Sequence, residues 1–118
     1  MSAPKNQLVI GLATIWCRHQ HLVEERVARI AEALRLLSIN QLPADARQQA
    51  GEDAHKLAGN LGTFGHPTAS DHARALELKL LSPDKLDLAE IDKFNRHTKE
   101  LQIAIQEITA AMTTGGAP

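Results

Sequence analysis

Apolar residues recur every three or four positions along most of this chain, which is the spacing that places them on one face of an α-helix. Four stretches show this period, and short turns rich in proline, serine or glycine separate them. They cover approximately residues 15–37, 43–61, 66–81 and 87–112. No stretch alternates apolar and polar residues over the length of a useful strand. Four amphipathic helices joined by short turns predict an all-α fold, an antiparallel up-down-up-down four-helix bundle.

Each predicted helix carries an apolar seam that should face the core of the bundle. The first seam contains Ile15, His19 or Gln20, Val23, Val27, Ile30, Leu34 and Leu37, and the second contains Ala46, Ala50, Asp53 or Ala54, Leu57 and Leu61. The third contains Ala69, Ala73, Leu76 and Leu80, with or without Leu81, and the fourth contains Leu88, Ile91, Phe94 or Asn95, Thr98, Leu101, Ile105, Ile108 and Met112. Asp87 and Glu90 have the spacing of a capping box at the start of the fourth helix.

The two ends of the chain are less regular than its middle. Residues 8–14 are mostly apolar without a clear period, so they fit either a short N-terminal lid or helix, or the first turn of the long helix. We predict a folded domain at residues 8–112. Residues 1–7 and 113–118, with their proline, glycine and polar residues, are predicted to be flexible ends or linker remnants of a larger protein.

Composition narrows the classes of function. The chain has 118 residues, which suits a single domain. Its formal net charge of −1 argues against a nucleic-acid-binding surface, which needs a basic excess. The apolar run at residues 8–13 is too short to span a membrane, and no signal peptide is visible. The lone Cys17 fits a reducing compartment. We therefore predict a cytoplasmic protein with neither a nucleic-acid nor a membrane partner.

The second predicted helix presents a histidine among glycines. Gly51, His55, Gly59 and Gly62 follow one another at steps of four, four and three, which places them on one helical face. Each glycine costs about 1 kcal/mol relative to alanine inside a helix. A sequence that tolerates three glycines on this face allows a large partner to approach His55 closely.

An antiparallel turn near Gly65 brings the third helix beside this histidine. His55 lies about ten residues before the turn and Glu77 about eleven after it, so the two side chains should reach a similar height. Glu77 could then accept a hydrogen bond from Nδ1–H of His55 and leave Nε2 free as a nucleophile. Arg74, one turn from Glu77, is either a helper that holds an anion or an ordinary solvated charge.

These residues carry a resemblance to a known family. Residues 54–59 read Ala-His-Lys-Leu-Ala-Gly, residues 61–65 read Leu-Gly-Thr-Phe-Gly, and Ala73 and Leu76-Glu77 follow on the next helix. This pattern resembles the histidine phosphotransfer (HPt) domain of two-component phosphorelay systems, over approximately residues 12–110. The resemblance implies a phosphorelay intermediate, in which His55 accepts a phosphoryl group at Nε2 from a receiver-domain aspartyl phosphate and passes it to another receiver aspartate.

The resemblance also implies partners and a docking surface. The expected partners are receiver domains of response regulators and a hybrid histidine kinase, with the chain itself a monomer. The expected receiver docking surface consists of Gly51, Lys56, Ala58, Gly59 and Gly62. Many members carry lysine three residues after the histidine, whereas this chain has Ala58 there and Lys56 beside the histidine.

The chain lacks the motifs that ATP-dependent phosphorylation requires. It has no P-loop, no glycine-rich nucleotide loop and no cluster of carboxylates near His55. We therefore expect a phosphocarrier with no intrinsic cofactor or metal, and Mg²⁺ on the partner receiver; whether such a carrier counts as an enzyme stays open.

Two other functions remain as alternatives. One is a non-catalytic helical-bundle module that binds a receiver or kinase without phosphotransfer. The other is a metal- or ligand-binding bundle, which the absence of inward Glu-x-x-His ligands disfavours.

Overall fold

The four predicted helices form one bundle. The computed structural model describes the backbone of residues 3–115 and the side chains of residues 11–112. In this part of the chain the helices are α1 (Ala3–Ser38), α2 (Ala44–Thr63), α3 (Pro67–Leu80) and α4 (Leu88–Gly115), without any strand. Each helix packs against its neighbours along the chain and α1 also packs against α4, whereas no Cα atoms of the two diagonal pairs of described helices come within 8 Å of each other. Helices that alternate in direction and close in this order confirm the up-down-up-down bundle.

The first helix begins earlier than the sequence pattern indicated. α1 starts at Ala3 rather than near Ile15, so residues 8–14 belong to one continuous helix and form no separate lid. Gly11 is the one helix breaker between residues 5 and 38, and a single glycine costs only about 1 kcal/mol. A 36-residue helix is about 54 Å long, which accounts for the 56 Å long axis of the bundle.

The helical backbone extends beyond the predicted domain at both ends of the chain. Residues 3–7 and 113–115, predicted as parts of flexible ends, have helical backbone at the outer ends of α1 and α4. Residues 1–2 and 116–118 lie outside the described residues. The assignment of 8–112 as the domain proper remains a prediction. No helix in the described part of the chain is long and apolar enough to cross a membrane.

Most of the predicted seam residues form the core. The residues whose burial matches the prediction are Val23, Val27, Ile30, Leu34, Ala50, Ala54, Leu57, Leu61, Ala69, Ala73, Leu76, Leu80, Ile91, Phe94, Thr98, Leu101, Ile105 and Ile108. Ile15 is instead exposed by 47% and Leu88 by 71%, and Leu81, the optional member, is exposed by 39%. Trp16 is fully buried in place of Ile15 because it packs edge-on against Phe64, at a centroid distance of 5.0 Å, and closes the core beside the α2–α3 turn.

A buried ion pair fixes how α2 is rotated against α1. Asp53 is 1% exposed, and its two oxygens accept hydrogen bonds from Nε and Nη2 of Arg29 at 2.8 and 3.0 Å. Such a two-bond fork holds both side chains in one relative orientation. The same hydrogen bond raises the pKa of Arg29 above its ordinary value. Because Asp53 is turned inward, the face that carries His55, two residues later, is turned outward.

The turns follow the predicted chemistry. Gly65 has φ +78°, a left-handed conformation that suits glycine, and N–H of His66 donates to the Leu61 carbonyl at 2.9 Å. Pro67 then opens α3 at a position where its missing N–H is no loss. At the start of α4, N–H of Glu90 donates to Asp87 Oδ1 at 2.7 Å, as the capping box predicts. The tight α2–α3 turn sets the heights of residues on these two helices.

A histidine pair links α3 and α4 and makes the stability of the bundle depend on pH. Nδ1 of His72 and Nδ1 of His97 lie 2.7 Å apart, so one ring donates and the other, which must be unprotonated, accepts. Burial, followed by the positive charges of His72, Lys93 and Arg96, lowers the pKa of His97. The pair therefore contributes least when both rings are charged.

We expect acidification to weaken the bundle through His97. A histidine whose pKa is lowered in the folded state takes up a proton more readily when the chain is unfolded. Its contribution to stability is therefore present above the unfolded pKa of about 6.5. That contribution is lost as the pH falls through the folded pKa. Urea unfolding at pH 7.5 and 5.5 measures this loss. His97→Gln, which cannot titrate, should show a smaller loss; an equal loss in both proteins would contradict the expectation.

Candidate functional site

His55 stands on the outer face of α2 and is held from one side by α3. Its side chain is 72% exposed, and Nδ1 lies 2.8 Å from Oε2 of Glu77 on α3. The contact that we expected from counting residues on either side of the turn is therefore present. An ionised carboxylate can only accept a hydrogen bond, so Nδ1 carries the hydrogen and Nε2 of the neutral ring holds a lone pair. This tautomer is the one that a nucleophile at Nε2 requires.

The free nitrogen faces a shallow open depression on α2. Because the two ring nitrogens point to different sides of the imidazole, fixing Nδ1 to α3 directs Nε2 away from α3. The depression is lined by Arg26, His55, Lys56, Gly59, Asn60 and Thr63. Two of these side chains are cationic and none is acidic, so the depression favours an anionic group beside the imidazole.

Gly59 keeps this depression open. It is exposed, and a Cβ built on it would meet no atom within 4 Å. The glycine is therefore not demanded by packing within the chain. Thr63 Oγ1 donates to the Gly59 carbonyl at 2.9 Å, so the hydroxyl is turned towards the helix backbone. A bare patch of backbone next to an exposed imidazole is the shape that a closely approaching partner needs.

Two residues of the predicted docking surface, Gly51 and Ala58, are buried in the bundle. A Cβ on Gly51 would overlap Leu81 Cδ2, so the first residue after α3 covers this glycine. Ala58 is 4% exposed, and its carbonyl accepts a hydrogen bond of 2.8 Å from Ser70 Oγ. Both lie on the flank of His55 that α3 covers, about 40° and 60° round the helix. Gly51 and Ala58 thus expose little surface in this structure, and their part in docking stays a prediction.

Of the remaining predicted residues, Lys56 lines the depression, and Gly62 and Arg74 do not. Lys56 is exposed and lines it. Gly62 is exposed next to α3, where an added Cβ would meet Ser70 Oγ at 3.8 Å. Arg74 is exposed, and within the described side chains it makes no hydrogen bond to His55 or Glu77. The anion-holding role suggested for Arg74 stays a prediction.

The structure adds one cation that the sequence pattern missed. Arg26 of α1 reaches the depression, where Nη1 donates to Oδ1 of Asn60 at 2.9 Å. In the sequence, Arg26 follows Val23 at a step of three, so it stands at the border of the buried seam. That position signals a residue at a helix–helix boundary. The register between α1 and α2, which the sequence pattern leaves undetermined, decides that its neighbour is Asn60.

The comparisons with known proteins cover the part of the chain that carries this site. The Hpt domain model matches residues 20–111, a range that includes His55, Glu77 and Arg26. Protein RcaC from Microchaete diplosiphon is 33% identical over 85 residues, which cover 72% of this chain and 13% of RcaC. The chain thus spans a small part of the length of that relative. No solved structure matches the chain at a significant level.

Proposed function

Because this chain belongs to the Hpt domain family, we propose that it carries a phosphoryl group on Nε2 of His55 between two receiver domains. Domains of this family perform histidine phosphotransfer in two-component phosphorelays and interact there with receiver domains and kinases. The observation that carries the proposal is the 2.8 Å contact between Nδ1 of His55 and Glu77, beside an open face of α2.

The transfer step uses the lone pair on Nε2. It attacks the phosphorus of an aspartyl phosphate in line with the P–O bond to the aspartate. The Nε2–P bond forms as the P–O bond breaks, and the electron pair leaves with the aspartate carboxylate. Nδ1 keeps its hydrogen throughout, and the Glu77 carboxylate stabilises the positive charge that develops on the ring. The reverse step delivers the phosphoryl group to the next aspartate.

The rest of the reaction centre comes with the partner. Arg26 and Lys56 line the depression beside His55, and their charges oppose a metal ion there. We propose that Mg²⁺ is held by the receiver, and that the chain has no cofactor of its own. We further propose that the chain acts in the cytoplasm as a monomer, without a nucleic-acid or membrane partner.

A transfer assay tests the function. A receiver domain labelled with radioactive phosphate is mixed with the chain in the presence of Mg²⁺, and a second receiver is added later. We expect an acid-labile, alkali-stable label on the chain that the second receiver removes. Receivers that bind the chain without transferring label would instead support the non-catalytic binding module.

Gly59→Gln should raise the stability of the bundle and weaken its docking to a receiver. A side chain at this exposed position meets nothing in the bundle, and replacing helical glycine by glutamine favours the helix by about 0.5–1 kcal/mol. The same side chain should obstruct a receiver that closes over His55. We therefore expect a variant that unfolds at higher urea concentration yet accepts phosphate more slowly, with a higher KM for the receiver.

Gly11→Gln is the matched control for this prediction. Gly11 is a helical glycine of α1 whose added Cβ also meets no atom within 4 Å, and it lines no part of the depression. It should gain similar stability and keep the transfer rate of the unaltered chain. Equal transfer rates in the Gly59→Gln and Gly11→Gln proteins would show that close approach at Gly59 is not needed.

A further inference from the structure

Arg26 is placed to act on whatever His55 carries. It is half-buried on α1, and Asn60 holds one of its terminal nitrogens at 2.9 Å. Asn60 follows Gly59 directly, so the guanidinium is anchored at the border of the depression that His55 also lines. An anchored side chain has already lost much of its rotamer freedom, and binding a ligand costs it less entropy.

The geometry of α2 places a residue without a side chain next to the imidazole, on the side of the guanidinium. Counting about 100° per residue, Gly59 lies about 40° and Asn60 about 140° round the helix from His55. Gly59, which has no side chain, therefore lies between them, and the exposed Lys56 lies in the same sector at about 100°. On the opposite flank Glu77 holds Nδ1, so Nε2 is directed towards the Gly59 side. A group attached to Nε2 therefore projects into the gap that Arg26 borders.

The chemistry of the guanidinium suits a phosphoryl group. Arginine has five N–H donors in a planar fork that matches phosphate oxygens, and among the described side chains Asn60 accepts from one of them. The neighbouring Arg29 is committed to Asp53 by two hydrogen bonds. Lys56 is exposed and carries a flexible stem, so it offers a less oriented charge. Of the cations at this face, Arg26 alone is held in place with donors to spare.

We propose that Arg26 binds the phosphoryl oxygens of phosphorylated His55 and so stabilises the phosphorylated state of this chain. The proposal rests on the proposed function, because it requires His55 to be the phosphorylated residue. Arg26 takes no part in bond making or breaking. It prefers the dianionic phosphoryl group to the bare imidazole, and this preference shifts the distribution of phosphate between receiver and carrier towards the carrier.

The test uses the full chain and its Arg26→Gln variant. Each is phosphorylated at His55 with phosphoramidate, a small donor that needs no receiver, and is titrated by ³¹P NMR. The equilibrium of phosphate between a receiver and each protein is measured separately. In Arg26→Gln we expect the pKa of the phosphoryl group to rise and the equilibrium to move about tenfold towards the receiver, as for loss of one hydrogen bond to a charged group. Asn60→Ala, which releases Arg26, should change both quantities in the same direction by less.

Arg96→Gln is the control, since Arg96 is exposed on α4 and lines no part of the depression. It should leave both quantities unchanged. Unchanged ³¹P titration in Arg26→Gln would overturn the proposal, and a weaker affinity for the receiver with that titration unchanged would make Arg26 a docking residue instead. Failure to label His55 in the unaltered chain would refute the proposed function itself, so the two failures are distinguishable.

Discussion

Replacing His55 by glutamine should abolish phosphoryl labelling by a phosphorylated receiver and leave the bundle folded. The amide nitrogen of glutamine has no available lone pair and cannot replace Nε2 as a nucleophile. The side chain is 72% exposed, and glutamine can still donate a hydrogen bond to Glu77, so little folding energy depends on the imidazole. Autoradiography of the transfer reaction, together with circular dichroism and urea unfolding, measures both halves of this expectation.

His21→Gln provides the matched control. His21 is an exposed histidine of α1 whose Nε2 lies 3.0 Å from Glu25. Its loss should leave the label unchanged, which would show that one particular histidine is needed rather than any exposed one. Acid-labile labelling of His55→Gln at the level of the unaltered chain would remove His55 from the reaction.

The second large effect concerns folding. Arg29→Met should lower the free energy of unfolding by about 3 kcal/mol, because it leaves the 1%-exposed Asp53 carboxylate without its partner. This loss of free energy is at the lower end of the range for breaking a buried ion pair. Arg29 itself is 46% exposed, so water can replace part of the interaction. Urea unfolding followed by circular dichroism gives the value.

Two further variants serve as controls for this measurement. Arg35→Met removes an exposed ion pair with Glu32 within α1 and should cost clearly less. The double substitution Arg29→Met with Asp53→Leu should recover much of the lost stability, because no charge is then left buried. An Arg29→Met protein as stable as Arg35→Met would show that the buried fork contributes little to holding α1 on α2.

The sequence predicted those parts of the structure that depend on constant helical geometry. The period of aliphatic residues located the helices, because burial of one face drives their packing. Glu77 could be predicted as the partner of His55 by counting residues on either side of the Gly65 turn, because the rise per residue is the same in both helices. Asp87 and Glu90 identified the start of α4 because a capping box depends on local spacing alone.

The features that the sequence did not predict depend on how the helices are rotated and shifted against each other. Whether α3 covers the Ala58 flank of His55 or the opposite flank is decided by packing, so the sequence did not reveal that Gly51 and Ala58 are buried. The Arg26–Asn60 contact depends on the register of α1 against α2, which no local pattern encodes. Trp16 replaced Ile15 in the core because Phe64 offered it an aromatic partner across the bundle.

That aromatic contact has a practical consequence for spectroscopy. Trp16 is the single tryptophan of a chain without tyrosine, so the fluorescence excited in this protein comes almost entirely from one indole ring. The ring is fully buried against Phe64, and its Nε1–H donates to Thr109 of α4 at 3.0 Å. Its emission maximum therefore reports the closure of the bundle at the end where α1, the α2–α3 turn and α4 meet. Because Trp16 lines no part of the His55 depression, a change in that emission on receiver binding would measure a motion transmitted through the helices.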